Sequence, residues 1–212
     1  DVDVSATYGL VACYNCSNVT YHNITMGTQG FQFASLTASV LSNISVSGSL
    51  GAMVVMREAY DNVFENISVI SSHPNIAAFS VGRDSARNNI SGLSLRTNRS
   101  SALDIWRSDL TRFVDSTIVT NATFSAIEVD GNTHYFSGLT VNATDAYVDS
   151  HFQIGDGVVY VDDSALSGIV ADSVFKIVAG AGESGTVTVT NVTVDSSNPL
   201  VSYDAASLVD VS

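Results

Sequence analysis

Residues 62–71, NVFENISVIS, hold the ambiguity on which the reading of this chain turns. Asn66-Ile67-Ser68 is an acceptor sequence for an N-linked glycan. It also opens an apolar-polar-apolar triplet, the alternation of a half-buried strand. Close relatives return as LSNISVSG (41–48), YFSGLTVN (135–142) and VTNVTVDS (189–196). Each copy places an Asn or a Gly before the triplet, so the Asn serves either a sugar or the fold.

The spacing favours the fold. Residues in the anchor position are Asn23, Asn43, Asn66, Gly92, Asp115, Gly138, Gly168 and Asn191, at intervals of 20, 23, 26, 23, 23, 30 and 23 residues, with a mean of 24. A second family of alternating segments keeps step, beginning at Phe31, Ala52, Ala78, Ala102, Ala126, Ala146, Ser173 and Pro199. Self-similarity at this period marks a solenoid, and strands without helical periodicity make it a β-solenoid. The prediction is an all-β chain folded as one domain over 1–212, with about eight coils of about 24 residues. Coils stacked at the strand spacing give a rod roughly 40 Å long.

Stacking gives the anchor Asn a purpose without a sugar. Asn and Gly both tolerate a left-handed backbone, which is why they exchange at this position. Asn side chains on successive rungs can also hydrogen-bond to one another. Ile67 with Val69, Leu93 with Leu95, Leu139 with Val141 and Val192 with Val194 then face inward as apolar columns. Sugar acceptors are still in excess: ten of the fifteen Asn precede x-Ser or x-Thr, where 48 Ser and Thr among 212 residues predict three or four. Asn98, Asn121 and Asn142 lie outside the anchor column and are the expected acceptors, ahead of Asn43 and Asn66 within it.

Composition narrows the function. The net charge of −13 argues against a nucleic-acid partner, which needs clustered Lys and Arg. Lys176 is the single lysine, and all seven arginines lie between 57 and 112. The formal charge is −2 over residues 1–56, +1 over 57–112 and −12 over 113–212. No apolar run reaches the roughly 18 residues of a membrane span. The chain starts at Asp1 without a leader, which fits a processed mature protein or a segment of a longer one. Cys13 and Cys16, in CYNC, fit a local disulfide, a pair of inert thiols or half of a metal site.

From Tyr8 onward the repeat resembles the right-handed parallel β-helix of the pectin-lyase-like superfamily, and in style the NISV-type repeats of archaeal and bacterial surface proteins. That resemblance implies an architecture rather than an activity. It also implies that any polysaccharide chemistry lies along one outer face.

In the second strand family the outward column reads Val54, Ser80, Asp104, Glu128, Val148. Two positions on it reads Met56, Gly82, Trp106, Asp130, followed at the turn by Arg57, Arg83 and Arg107. Asp104 and Glu128, with Asp130 nearby, are candidate catalytic carboxylates, because residues about 5 Å apart on neighbouring rungs approach the geometry of retaining glycosidases. The three arginines are candidate ligands for acidic sugars, and Trp106 for a sugar face. A solvated, salt-bridged surface explains the same residues. The chain lacks the Asp-rich, Gly-His-Gly and Asp-Pro-His motifs of β-helix polysaccharide enzymes. The turns around Asp156, Asp162 and Asp163 are weak calcium candidates. His22, His73, His134 and His151 share no spacing and are expected at the surface or in turns.

The leading expectation is an extracellular or cell-surface structural module of a sheath, surface layer, filament or adhesin, partnered by its own copies or by the rest of a longer chain. The alternative is a carbohydrate-binding or polysaccharide-cleaving β-helix acting on the Asp104/Glu128 face. An ice-binding reading through TVTVTNVTV (186–194) is weaker, since one threonine row is not an array.

Overall fold

The computed structural model describes residues 5–6, 11–27, 30–48, 54–82, 84–121, 123–144, 148–178, 184–203 and 210–211. Among them are 24 strands and no helix, and every strand pairing is parallel, with partners about one coil apart in sequence. This is the expected parallel β-solenoid.

One side of the coil is a sheet of nine strands, from Val11–Ser17 to Val201–Tyr203. Eight had been expected; the additional one is Val11–Ser17, which carries Cys13 and Cys16. These two cysteines are joined in a disulfide with their Cα atoms 6.0 Å apart. The remaining strands form a second sheet that changes character along the chain. In the earlier coils a long strand such as Val63–Ser71 fills it alone. In the next coil the same width is shared by Asn89–Ser91 and Ser94–Thr97, with Ile90 beside Phe64 and Leu95 beside Val69. The later coils are therefore three-sided.

The point of division is the anchor. Asn23, Asn43, Asn66, Gly92, Asp115, Gly138, Asp163 and Asn191 all have φ between 46° and 65°. Such a left-handed residue bends the strand so that the two arms face different ways, and Gly, Asn and Asp bear it at least cost. The side chains also stack: Asn43 Nδ2 donates to Asn23 Oδ1 and Asn66 Nδ2 to Asn43 Oδ1, each at 3.2 Å. At Gly92 a Cβ would lie 2.7 Å from Asn66 Oδ1, so the smallest residue follows the ladder. The "N" of NIS is thus a structural element.

One anchor had been misplaced. Asp163, not Gly168, continues the column, because Gly138 N donates to Asp162 O and Asp163 N to Thr190 O. Asn191 Nδ2 also donates to Asp163 Oδ1. Gly168 instead closes the strand Ala165–Gly168, whose inward residue is Leu166; Ile169 is 54% exposed. Asp163 and Gly168 both have positive φ, and the apolar residue after Gly168 imitates the start of a triplet.

Inside, Ile24, Ile44 and Ile67 align and are buried, and Leu93 and Leu139 are buried in the corresponding positions further along. Ser116 and Ser164 interrupt this column, each satisfied by donating to a backbone carbonyl, Val114 O at 3.1 Å and Asp162 O at 2.6 Å. On the nine-stranded side Phe79, Leu103, Ile127, Phe152 and Phe175 form another column, with the last two rings stacked at 5.2 Å. A buried polar ladder runs beside the apolar ones. Asn62 Nδ2 donates to Asn88 Oδ1 at 2.9 Å and to Leu36 O at 2.9 Å, while Asn88 Nδ2 donates to Ala59 O at 2.8 Å. Neither Asn is an acceptor sequence, and both fill the hydrogen-bonding capacity of a turn that faces inward.

Two expectations about this interior fail. The strand expected from Ala146 is Ser150–Ile154, and residues 145–147 lie outside the described residues. His134 and His151 are buried, not turn residues. His134 stands in the inward column between Thr111 and Val159, where burial pushes its imidazole down to about 4. His151 Nε2 lies 2.8 Å from Ser167 O, and burial lowers its proton affinity as well. His22 is part-buried with Nδ1 2.6 Å from Ser42 Oγ.

Candidate functional site

The nine-stranded side presents its outer column in the order Ser80, Asp104, Glu128, Gln153, Lys176, and Val55 is in register with Ser80. Asp104 and Glu128 are direct partners on neighbouring strands, so their backbones stand about 4.8 Å apart. The ends of the expected column are corrected. Val54 aligns with the buried Phe79, which makes Val55 the partner of Ser80. Val148 is buried elsewhere, and Gln153 follows Glu128. In AMVVMR the apolar run has no alternation, and a one-residue slip turns every side chain to the opposite face.

Serines of the preceding turns orient this column. Ser101 Oγ donates to Glu128 Oε1, and Ser125 Oγ lies 2.7 Å from Ser150 Oγ and 3.4 Å from Gln153 Oε1. Lys176 Nζ closes the row between Asp149 at 3.0 Å and Asp172 at 3.3 Å. The turns overhang a cleft of about 280 Å³ lined by Asn75, Ser100, Ser101, Asp104, Phe124 and Glu128, with Phe124 45% exposed. Asp104 is pushed up to about 6, first by burial and then by the charge of Glu128, with a smaller push from Asp130; a hydrogen bond from Ser80 opposes the rise. A carboxyl with a raised proton affinity thus sits beside a second one held by a serine, an arrangement able to exchange a proton and to hold a sugar hydroxyl.

The flanking residues do not gather as expected. Arg57, Gly82, Trp106 and Asp130 are in register, so Arg57 is level with Trp106 and not with Arg107, and Met56 pairs with Val81. Arg83 lies outside the described residues. The Arg107 guanidinium lies 5.0 Å from the Trp106 ring centroid, covering a face of the indole that a sugar would need. Among the described residues no column of arginines stands beside the carboxylates.

The calcium candidates are engaged in hydrogen bonds of their turns. Asp156 Oδ1 accepts from Ser184 N at 3.3 Å, Asp163 accepts from Asn191 and Asp162 Oδ1 accepts from Asp163 N at 3.0 Å. Among the described residues no group of three or more His, Cys, Asp or Glu side chains is placed to hold a metal ion.

A second cleft, of about 440 Å³, was not anticipated. It is lined by Arg112, Tyr135, Tyr160, Asp162, Thr188 and Thr190. The two tyrosine rings stack at 5.0 Å and 9°, and the Arg112 guanidinium lies 5.3 Å from the Tyr135 ring centroid. The signal was present in the sequence: Arg112, Tyr135 and Tyr160 each precede an inward Phe113, Phe136 or Val161, one coil apart. With Arg112 on one face and Tyr160 on the other, Tyr135 is part of a lateral ladder.

No protein-family model matches the chain, and no curated protein sequence does. Among solved structures it is similar to the Streptococcus pneumoniae surface protein and adhesin PfbA, with 8% identity over 97% of this chain and 77% of that one and a TM-score of 0.41. It is also similar to the catalytic domain of a GH87 alpha-1,3-glucanase in complex with tetrasaccharides, with 10% identity over 96% of this chain and 64% of that one and a TM-score of 0.26. At these values neither likeness bears on activity, and the architecture stands on the strand register itself. Among the described residues no helix is long and apolar enough to cross a membrane.

Proposed function

We propose that this chain is an extracellular or cell-surface structural module, a β-helix of the pectin-lyase-like kind, that works by stacking with further copies or with the rest of a longer chain. The observation that carries this reading is the continuity of the parallel ladder and of its inward columns through the described coils. An unpaired strand edge is a template for another strand, and a matched rung extends every inward column without new chemistry. The charge of −12 over residues 113–212 opposes such a junction until salt or calcium screens it. Light scattering of the purified chain is expected to show association that rises with ionic strength or calcium. Val211→Pro, which removes a ladder donor, is expected to weaken it. A monomer under all these conditions would overturn the assembly reading.

A second reading is favoured by one observation, the pairing of Asp104 with Glu128 on neighbouring strands at the cleft, where burial raises the Asp104 carboxyl. On it, the 280 Å³ cleft binds or cleaves a polysaccharide, with Asp104 as proton donor and Glu128 as its partner. Reducing-end release from a panel of neutral and acidic glycans, abolished by Glu128→Gln, is the result that supports it. Neither release nor binding across the panel sinks it.

A further inference from the structure

The ten acceptor sequences divide into two sets once the anchor ladder is laid out. Asn23, Asn43, Asn66 and Asn191 are left-handed anchors, each hydrogen-bonded to a neighbour in its column. Asn98 and Asn121 belong to the other set. They follow Thr97 and Thr120, which are register partners, so the two Asn stand on neighbouring rungs. Both are exposed, and among the described residues neither side-chain amide has a hydrogen-bond partner.

They also share a place. A groove of about 520 Å³ has Asn98, Asn121 and Thr144 along one edge and Ile70, Arg96 and Val119 on its floor. The floor residues are aligned on three successive rungs, and Ile70 is 53% exposed. An apolar floor with a charged donor, edged by two free acceptor amides, suits a saccharide better than it suits water: sugar rings present apolar C–H faces and a rim of hydroxyls. An attached glycan needs no affinity of its own to reach the floor, because the covalent link supplies a high local concentration.

We propose that Asn98 and Asn121 carry N-linked glycans whose first sugars lie in this groove over Ile70 and Val119, with Arg96 donating to their oxygens. The inference rests on the extracellular reading above. In the transfer, one Nδ2–H bond is replaced by a bond to the anomeric carbon of a sugar. The donor is a glycan activated as a pyrophosphate ester; its C–O bond breaks, the pyrophosphate leaves with the electron pair, and the Asn proton passes to a base of the transferase.

The test is glycopeptide mapping by tandem mass spectrometry on protein from the cells that make it, with protease shaving of intact cells in parallel. Glycan mass is expected on the peptides carrying Asn98 and Asn121 and not on those carrying Asn43 or Asn66, and Asn98→Gln and Asn121→Gln should each remove one glycan. Hydroxyl-radical labelling of Ile70 should rise several-fold in the double variant. Shaved surface protein with bare Asn98 and Asn121 overturns this inference and leaves the surface reading standing. Protein found only inside the cell overturns the surface reading itself. Equal labelling of Ile70 with and without the glycans overturns its seating in the groove.

Discussion

Two outward columns share the same rungs and the same stacking, yet only one is repetitive. At the anchor, every residue from Asn23 to Asn191 is Asn, Gly or Asp, because the backbone is left-handed there in each coil. On the nine-stranded side the column runs Ser80, Asp104, Glu128, Gln153, Lys176, with no type repeated. A position whose residue is dictated by backbone conformation repeats; a position free of that demand varies, and its variation is where a site can be placed. The difference is sharpened by asking how far each position resists change.

The largest effect is expected where an inward and an outward residue of one strand are compared. Ile67 is 1% exposed and Ile70 is 53% exposed, both within Val63–Ser71. Ile67→Asp buries a carboxylate with no partner and should cost at least about 4 kcal/mol, whereas Ile70→Asp should stay within about 0.5 kcal/mol. Urea unfolding of the two variants measures this. Comparable losses would mean that the strand does not have the inward and outward faces assigned to it.

A smaller effect, of opposite sign at two sites, is expected from pH. Asp104 is raised from 3.8 to about 6 in the folded chain, so between those values the folded state holds a proton that the unfolded state has released. Its contribution is full below pH 3.8 and is lost as pH rises through about 6. His134 is lowered from 6.5 to about 4, so its contribution is full above pH 6.5 and is lost as pH falls toward about 4. Each is on the order of 3 kcal/mol, and between pH 4 and 6 the two slopes oppose. Asp104→Asn should therefore leave a chain that loses stability as pH falls across this window. His134→Val, which matches its column neighbour Val159, should leave one that loses stability as pH rises. Unfolding midpoints across the window decide; profiles parallel to that of the unsubstituted chain would show that neither group is held as described.

How much of this was legible follows from the same distinction. The coil period, the inward pairs Ile67 with Val69 and Leu93 with Leu95, and the left-handed role of Asn66 could be read because each recurs. Asp104 opposite Glu128 could also be read, since ALDIW and AIEVD alternate cleanly. What failed lacked one of these supports. AMVVMR has no alternation to fix its face, Gly168 competed with Asp163 for a single conformational role, and His134 looked polar although it occupies an apolar column. The groove at Asn98 and Asn121 was half legible: the acceptors were visible in the sequence, but the apolar floor pairs Val119 with Ile70, which comes from another coil.

The finest test is within the anchor column, where backbone conformation and side-chain ladder make separable demands. At Gly92, φ is 62° and a Cβ would press on Asn66 Oδ1. Gly92→Val adds a branched side chain to a left-handed backbone and should cost about 2 kcal/mol or more. Gly92→Asn keeps a residue that tolerates the conformation and meets only the movable end of the Asn66 side chain, so its cost should be smaller. Asn43→Asp goes further, because it leaves the backbone demand satisfied and still accepts from Asn66. It loses only the donation to Asn23, an exposed hydrogen bond worth roughly 0.5–1 kcal/mol. Asp115 and Asp163 already stand in this column, as expected if conformation is the stronger demand. Urea midpoints should fall in the order Gly92→Val, Gly92→Asn, Asn43→Asp, from least to most stable. If Asn43→Asp proves as damaging as Gly92→Val, the column is held by its amide ladder rather than by its left-handed backbone, and Asn recurs in NIS for the hydrogen bond.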